Sequence, residues 1–400
     1  MNRHAVGPLH PFPRQFDTVD ELLEYYWRRG YQYAEISQLL LRVHNINLNV
    51  RQIKYRFKKL GLLRYGGADP DDAVRRAIQE ELQGPNKHYG YRRMHRCLVR
   101  DHGLNVRRIT VQHILREEDP EGSEQRRRRR LSRRQYFSLG PNMTWHIDGN
   151  DKLRPYGFCI HGCIDGYSRR ILWLKVGPTN KCPKVVAGFY LDTVCQLGGC
   201  PLVVRSDPGS ENVVVAAIQG TFRATGDDEY SGPRSHQYGK SVHNQRIEAF
   251  WSHLKPKLVF WIQVFQGLVD DGDLELGNSI HTWCLQFCFM PIVARDLNSF
   301  AEDWNDRRIP PHHSASVPAG RPNILHFLPE QTGGRDMLQV VPGGMLRAAR
   351  CHCKPYSMVG NESFQRYAGE MLTRMDRTTP NSIIEALDLY RELVVIATAM

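Results

Sequence analysis

The chain has 400 residues, 41% hydrophobic and 24% charged, enough for more than one packed core and for about two to three domains. A small disulfide-stapled module is excluded, and no apolar run approaches the roughly 20 residues that span a bilayer. Net charge is +12 and mean hydropathy is −0.49. The start, Met1-Asn2-Arg3-His4 followed by prolines, lacks the apolar segment of a secretory leader, so a soluble intracellular protein is expected. Ten cysteines without a single C-x-x-C are expected to be reduced and mostly buried. The charge is unevenly placed. Residues 1–140 carry 28 Lys and Arg against 16 Asp and Glu, whereas 141–400 carry 26 of each. A localised basic region is the footprint of a module that neutralises phosphates.

In chain order, Thr18-x-x-Glu21 is a capping box that opens a helix with Val19, Leu22, Leu23, Tyr26 and Trp27 on its apolar stripe, closed by Gly30. A second helix is predicted at 33–43. Asn49 can cap a third at 50–60, with Ile53, Phe57 and Leu60 inward and Arg51, Lys54, Arg56, Lys58 and Lys59 on the other faces. This is the pattern of a helix-turn-helix whose last helix lies against DNA. The pattern repeats loosely with helices at 71–83 and 91–102, then 106–116 capped by Asn105, where Arg107 and Arg108 sit among Ile109, Val111 and Ile114. The reading is two tandem three-helix units, 1–65 and 66–125, both DNA-binding. Residues 126–139, with Arg126 to Arg130 unbroken, repel one another too strongly to pack and read as an exposed basic linker. Arg128 at its centre can contact phosphate, and the run can also be read as a nuclear-import signal.

From 141 the periodicity changes. Thr144 to Asp148, Tyr156 to Ile164 and Arg170 to Val176 read as three strands, followed by a helix at 183–197, a strand at 202–204 and a helix from Val213. The order β-β-β-α-β-α describes a mixed sheet with helices on its faces, the α/β class. Three acids fall where such a sheet can gather them: Asp148 ending the first strand, Asp207 ending the fourth, and Glu248 in the helical stretch 243–251. An oxygen-rich site of this kind suits Mg²⁺ or Mn²⁺. Two ions about 4 Å apart can activate an attacking oxygen and stabilise a departing one in phosphodiester chemistry.

Thr144-Trp145-His146-Ile147-Asp148, the block Ile164-Asp165-Gly166-Tyr167-Ser168-Arg169-Arg170-Ile171, the turn Ser206-Asp207-x-Gly209-Ser210, and Asn244-x-x-x-Glu248-Ala249-Phe250-Trp251-x-x-Leu254-Lys255 resemble, in order, the blocks of retrovirus-type integrase cores and insertion-sequence transposases. Phe300-x-x-x-Trp304-Asn305-x-Arg307-Arg308 is similar to the helix that follows in those transposases. Gly90-Tyr91-Arg92-Arg93-Met94 to Ile114-Leu115 is similar to their second helix-turn-helix. Gly140-Pro141-Asn142 and Asp151-Lys152-Leu153 resemble eukaryotic integrase-core proteins derived from mobile elements. The resemblance covers roughly 30–330. It implies an RNase H-like core at 140–310 of the DDE class, with a C-terminal extension at 311–400 whose role it leaves open. It implies Asp148, Asp207 and Glu248 as catalytic metal ligands for Mg²⁺ or Mn²⁺, Lys255 on donor-DNA phosphate, and Asn244 steadying the site or touching DNA. The implied chemistry is strand cleavage by water, then attack of the freed 3′-hydroxyl on a second duplex. Double-stranded DNA is the implied partner, a homo-oligomer is expected because two DNA ends need more than one active site, and a eukaryotic chain would work in the nucleus. No small-molecule cofactor and no membrane partner are expected. The rival reading is a domesticated, catalytically silent DNA-binding or regulatory protein on the same scaffold.

The chain departs from the retroviral pattern in three places. It lacks an H-x₃₋₅-H…C-x₂-C module, and His88, His95 and His102 have only Cys97 for company, so the spacing does not predict zinc there. Pro208 stands where retroviral cores usually carry asparagine. Asp227, Asp228 and Glu229, in a glycine-rich stretch at 226–239 that reads as a mobile loop, rival Glu248 as ligand; Glu248 is preferred because Asn244 and Lys255 accompany it at helical spacing. Asp165 reads as a turn-tying residue, Asp151 as a possible outer partner of the site, and His146 as a structural histidine. The aromatics of 250–289 read as helix core before base-stacking surface, and the Cys351-His352-Cys353 triplet has no further ligands in spacing.

Overall fold

The computed structural model describes residues 16–62, 69–120, 136–239, 244–311 and 318–398. The chain divides into two compact units, one of residues 1–137 with 308–332 and one of 138–307 with 333–400. The linker run, and with it Arg128, falls almost wholly outside the described residues.

The first unit holds two helical trios. The first comprises α1 (Val19–Arg28), α2 (Tyr33–His44) and α3 (Val50–Lys59). Thr18 caps α1 by accepting from the Glu21 N–H at 3.2 Å. Asn49 and Gln52 form a reciprocal capping box on α3, both contacts at 2.9 Å. Gly30, at φ +68°, turns the chain out of α1 in the left-handed conformation that glycine alone adopts without strain. Ile53 and Phe57 are buried, but Leu60, expected inward, is 39% exposed because the helix ends one residue before it. The trio's core is completed from far along the chain by Ile324 and Leu328, at and just beyond the helix Pro322–Phe327. Next to them Arg321 donates to the Gly30 carbonyl at 2.7 Å and lies over the Tyr31 ring.

The second trio is α4 (Asp71–Gln83), α5 (Tyr91–Arg100) and α6 (Arg108–Glu118), packed through Val74, Ile78, Met94, Leu98, Val111 and Leu115. Asn105 is not the cap of α6. Its backbone N–H goes to Asp69 at 2.5 Å, and the helix starts at Arg108 after Arg107. Ile109 is 56% exposed in the first turn.

The second unit is an RNase H-like α/β core. Its sheet holds β1 (Thr144–Asn150), β2 (Cys159–Asp165), β3 (Ile171–Gly177), β5 (Val203–Ser206) and β6 (His236–Tyr238), in the order β3-β2-β1-β5-β6; β4 (Gly199–Cys200) pairs separately with β7 (Gln339–Val340). β1 is antiparallel to β2 and parallel to β5. Period-two alternation sends Trp145 and Ile147 to the face covered by α7 (Pro183–Leu197) and α8 (Val213–Phe222). His146 and Asp148 therefore point to the opposite face, where α9 (Gln245–Asp270) crosses.

Three expectations about this unit change. β1 runs two residues past Asp148, so that acid lies inside the strand and not at its end. The stretch read as a loop at 226–239 contains β6, which pairs parallel with β5 through Val204 and His236; three polar residues are too few to carry a strand pattern. The segment 311–400 is not one extension. Residues 308–332 fold with the first unit, while 333–400 supply β7 and the helices Glu362–Arg374 and Ile383–Thr398, which pack on α10 (Ser279–Asp306).

The Trp304-Asn305 motif acquires a structural explanation. The Asn305 side-chain amide accepts from the Ile171 N–H at 2.7 Å and donates to the Ile171 carbonyl at 3.0 Å, filling the hydrogen bonds of an edge strand on β3. Trp304 donates to the Arg169 carbonyl at 2.7 Å.

Candidate active site

The parallel register of β1 and β5 sets His146 opposite Arg205. Two residues on, the same offset brings Asp148 level with Asp207, which follows the last residue of β5. Asp207 is held by its backbone: its carbonyl accepts from the Gly209 N–H at 2.9 Å, from the Ser206 hydroxyl at 2.9 Å and from the Asn212 amide at 3.3 Å. Glu248 comes in on the first turn of α9 and is exposed to solvent. Burial pushes the Asp148 carboxyl up to about 7, and the negative charges of Asp207 and Glu248 push in the same direction, against the hydrogen bond from Trp251. Asp207 and Glu248 are thus near enough for their charges to act on Asp148.

Two side chains hold the end of α9 to β1. Asn244, the residue before the helix, accepts from His146 Nδ1 at 2.7 Å and donates to the Ile147 carbonyl at 2.9 Å. It is 2% exposed, and its amide nitrogen is engaged by the Ile147 carbonyl. His146 is fully buried, and burial pushes it down to about 3, so the ring is neutral and donates from Nδ1. One turn after Glu248, the Trp251 indole N–H donates to Asp148 Oδ2 at 2.7 Å, while Asp148 Oδ1 takes the Gly149 N–H at 2.8 Å.

Trp251 is a site residue that the sequence pattern assigns to helix core. The available signal is its position three after Glu248, which puts both on one face of the helix. A second missed residue explains how the indole fits. Gly162 on β2 is the register partner of Asp148, and a Cβ there would lie 2.8 Å from Trp251 Cη2. The strand carries glycine because the indole occupies that space.

Lys255 is exposed two turns beyond Glu248 on α9. Asp165 is buried and accepts from the Asn142 N–H at 2.7 Å, the Ser168 N–H at 2.8 Å and the Ser168 hydroxyl at 2.6 Å, tying the turn after β2. Asp151 accepts from the Asn180 amide at 2.7 Å. Asp228 pairs with Arg223 and is thereby committed away from the carboxylate trio. In the first unit Arg51, Lys54 and Lys58 are exposed on α3, and Arg107 and Arg108 are exposed at the start of α6. Among the described residues no helix is long and apolar enough to cross a membrane.

Residues 136–319 match the family model described as integrase core domain, which supports the integrase and transposase superfamily for that part of the chain. No curated protein matches the chain.

Proposed function

We propose that the protein is a DDE-type integrase or transposase that cleaves a DNA strand and transfers its 3′-hydroxyl to a second duplex, with Asp148, Asp207 and Glu248 as catalytic ligands of Mg²⁺ or Mn²⁺. The observation that carries this reading is the convergence on one side of β1 of three acids widely separated in sequence: the β1–β5 register brings Asp207 level with Asp148, and Trp251, three residues after Glu248 on α9, donates to Asp148 Oδ2. The donor set fits a hard dication: all three groups are carboxylates, and their repulsion is relieved by positive charge. When bound, such a cation polarises phosphate oxygens and supports an in-line displacement.

The chain's own residues prepare that site. Trp251 and the Gly149 N–H hold the two oxygens of Asp148 in fixed directions. Asn244 ties the start of α9 to the β1 backbone, so the helix turn bearing Glu248 is fixed against the strand bearing Asp148. Lys255 presents a cation to donor phosphate, and the exposed bases of α3 and α6 hold duplex DNA. The working form is a homo-oligomer, since joining two ends needs two sites, and in a eukaryotic host the protein acts in the nucleus.

The test is incubation of the full chain with labelled duplex DNA and Mg²⁺ or Mn²⁺. Nicking or joining that vanishes in Asp207→Asn is the expected result. Duplex binding without any metal-dependent cleavage on varied terminal sequences would favour the silent DNA-binding scaffold.

A further inference from the structure

The second helical trio contains a group of side chains that neither DNA binding nor the carboxylate site uses. Glu81 lies in the last turn of α4, Cys97 in α5, and His102 two residues past the end of α5. One ligand atom from each lies within 4.8 Å of the other two. His102 Nε2 is 2.7 Å from Glu81 Oε1, with the two side chains 21% and 16% exposed. Cys97 is buried.

We infer that Glu81, Cys97 and His102 form a zinc-class site that staples α4 to α5, with solvent in the fourth position. The donors are a carboxylate oxygen, a thiol sulfur and an imidazole nitrogen, the mixture that suits Zn²⁺ or Co²⁺ and not Mg²⁺ or Ca²⁺. Bond lengths of about 2.0–2.3 Å around a tetrahedral ion separate its ligands by about 3.4 Å, so the cluster closes on a cation by side-chain adjustments of about an ångström. Charge also balances: a carboxylate and a thiolate neutralise the dication, and the imidazole binds through the Nε2 that now faces Glu81 Oε1, with Nδ1 carrying the ring proton in the bound form.

Asn86 gives the trio the surroundings of a metal site. Its amide nitrogen donates to Glu81 Oε2 and lies 3.9 Å from Cys97 Sγ, so one N–H₂ group serves both of the donors that must carry negative charge. Binding releases the thiol proton to solvent as the sulfur–metal bond forms, the Nε2 proton of His102 is displaced to Nδ1 or to solvent as the nitrogen–metal bond forms, and nothing is oxidised or reduced. The trio's apolar core is small, and an ion bridging residues 81 to 102 crosslinks two of its three helices.

The test is titration of the full, chelator-treated chain with Co²⁺, read by absorption. A thiolate ligand gives a sulfur-to-cobalt charge-transfer band in the near ultraviolet, and a tetrahedral site gives strong visible bands. One equivalent should produce both. Cys97→Ser should abolish the near-ultraviolet band, and Asn86→Ala should weaken binding about 10- to 100-fold. The double variant Cys351→Ser, Cys353→Ser and the variant Asp207→Asn should leave the band intact, which separates this site from other thiols and from the carboxylate site. If Cys97→Ser fails to fold, His102→Gln should shift the visible bands and lower affinity at least about tenfold. A chain that gives no thiolate band, or a band that survives Cys97→Ser or is unmoved by His102→Gln, overturns the inference.

Discussion

Gly162→Ala probes the contact between strand and helix on which the orientation of Asp148 depends. The added Cβ would lie 2.8 Å from Trp251 Cη2 and 3.4 Å from Cζ2. Restoring an ordinary carbon–carbon contact of about 3.6 Å requires the ring to retreat by about 0.8 Å. The indole N–H sits 2.7 Å from Asp148 Oδ2, so the same retreat in line with that bond stretches it to about 3.5 Å, beyond useful hydrogen-bond length. Overpacking costs about 1–3 kcal/mol, and a hydrogen bond to a charged acceptor contributes about 1.5–3 kcal/mol. Gly162→Ala should therefore destabilise the fold by about 2 kcal/mol in denaturant titrations and lower Mn²⁺ affinity about tenfold. Trp251→Phe removes the same N–H and also the Cη2 atom. In the Trp251→Phe background, the further substitution Gly162→Ala should then cost less than about 1 kcal/mol and lower metal affinity no further. That non-additivity, about 1 kcal/mol or more, is the signature of direct contact in a double-mutant cycle. Strictly additive effects on both stability and Mn²⁺ binding would refute the coupling of Gly162, Trp251 and Asp148.

Three other measurements bear on separate parts of the molecule. Lys54→Ala with Lys58→Ala should weaken duplex binding and reduce the slope of log K against log salt by about 1 per lost phosphate contact; an unchanged slope would remove α3 from the interface. His161 is buried, lies nearly coplanar with Trp173 and accepts its indole N–H at 3.0 Å. Burial pushes it down to about 3, below the unfolded value of 6.5. Its neutral form therefore supports the fold fully above pH 6.5, and that support falls by about 1.4 kcal/mol per pH unit as pH drops from 6.5 toward 3. His161→Phe should flatten the acid limb of the stability profile by that amount between about pH 6 and 5, and an identical slope would show the ring is already protonated or solvated. Asn305→Ala strips both hydrogen bonds from Ile171 on edge strand β3 and should cost about 1–3 kcal/mol, with faster amide exchange at Ile171 as the local readout; unchanged protection there would contradict the edge-cap role.

The helices of the first unit were legible because their signals are local. Thr18 and Asn49 sit at capping positions, and α4, like α7 in the second unit, begins and ends at the residues the pattern marks. The elements that carry Asp148, Asp207 and Glu248 were legible, since β1, β5 and α9 are each recognisable alone. What could not be read is what one segment does to another at long range. Nothing near Gly162 announces that an indole 89 positions later needs its Cβ space, and nothing near Cys97 announces that Glu81 and His102 turn toward it. The polar strand β6 is too short for a period to register. Leu60 and Asn105 differ for another reason: helix ends shift by a residue or two with tertiary competition, and each lies at such an end.

The inclusion of Ile324 and Leu328 in the apolar core of the first trio imposes an order on biosynthesis. When residue 62 leaves the ribosome, the apolar surface of the first trio is still missing partners that will be translated 266 residues later. At about 5–20 residues per second that interval lasts on the order of 15–50 s. Throughout it the nascent head has an uncovered flank, and a chain that terminates early, inside the sheet-bearing region, leaves that flank bare for good.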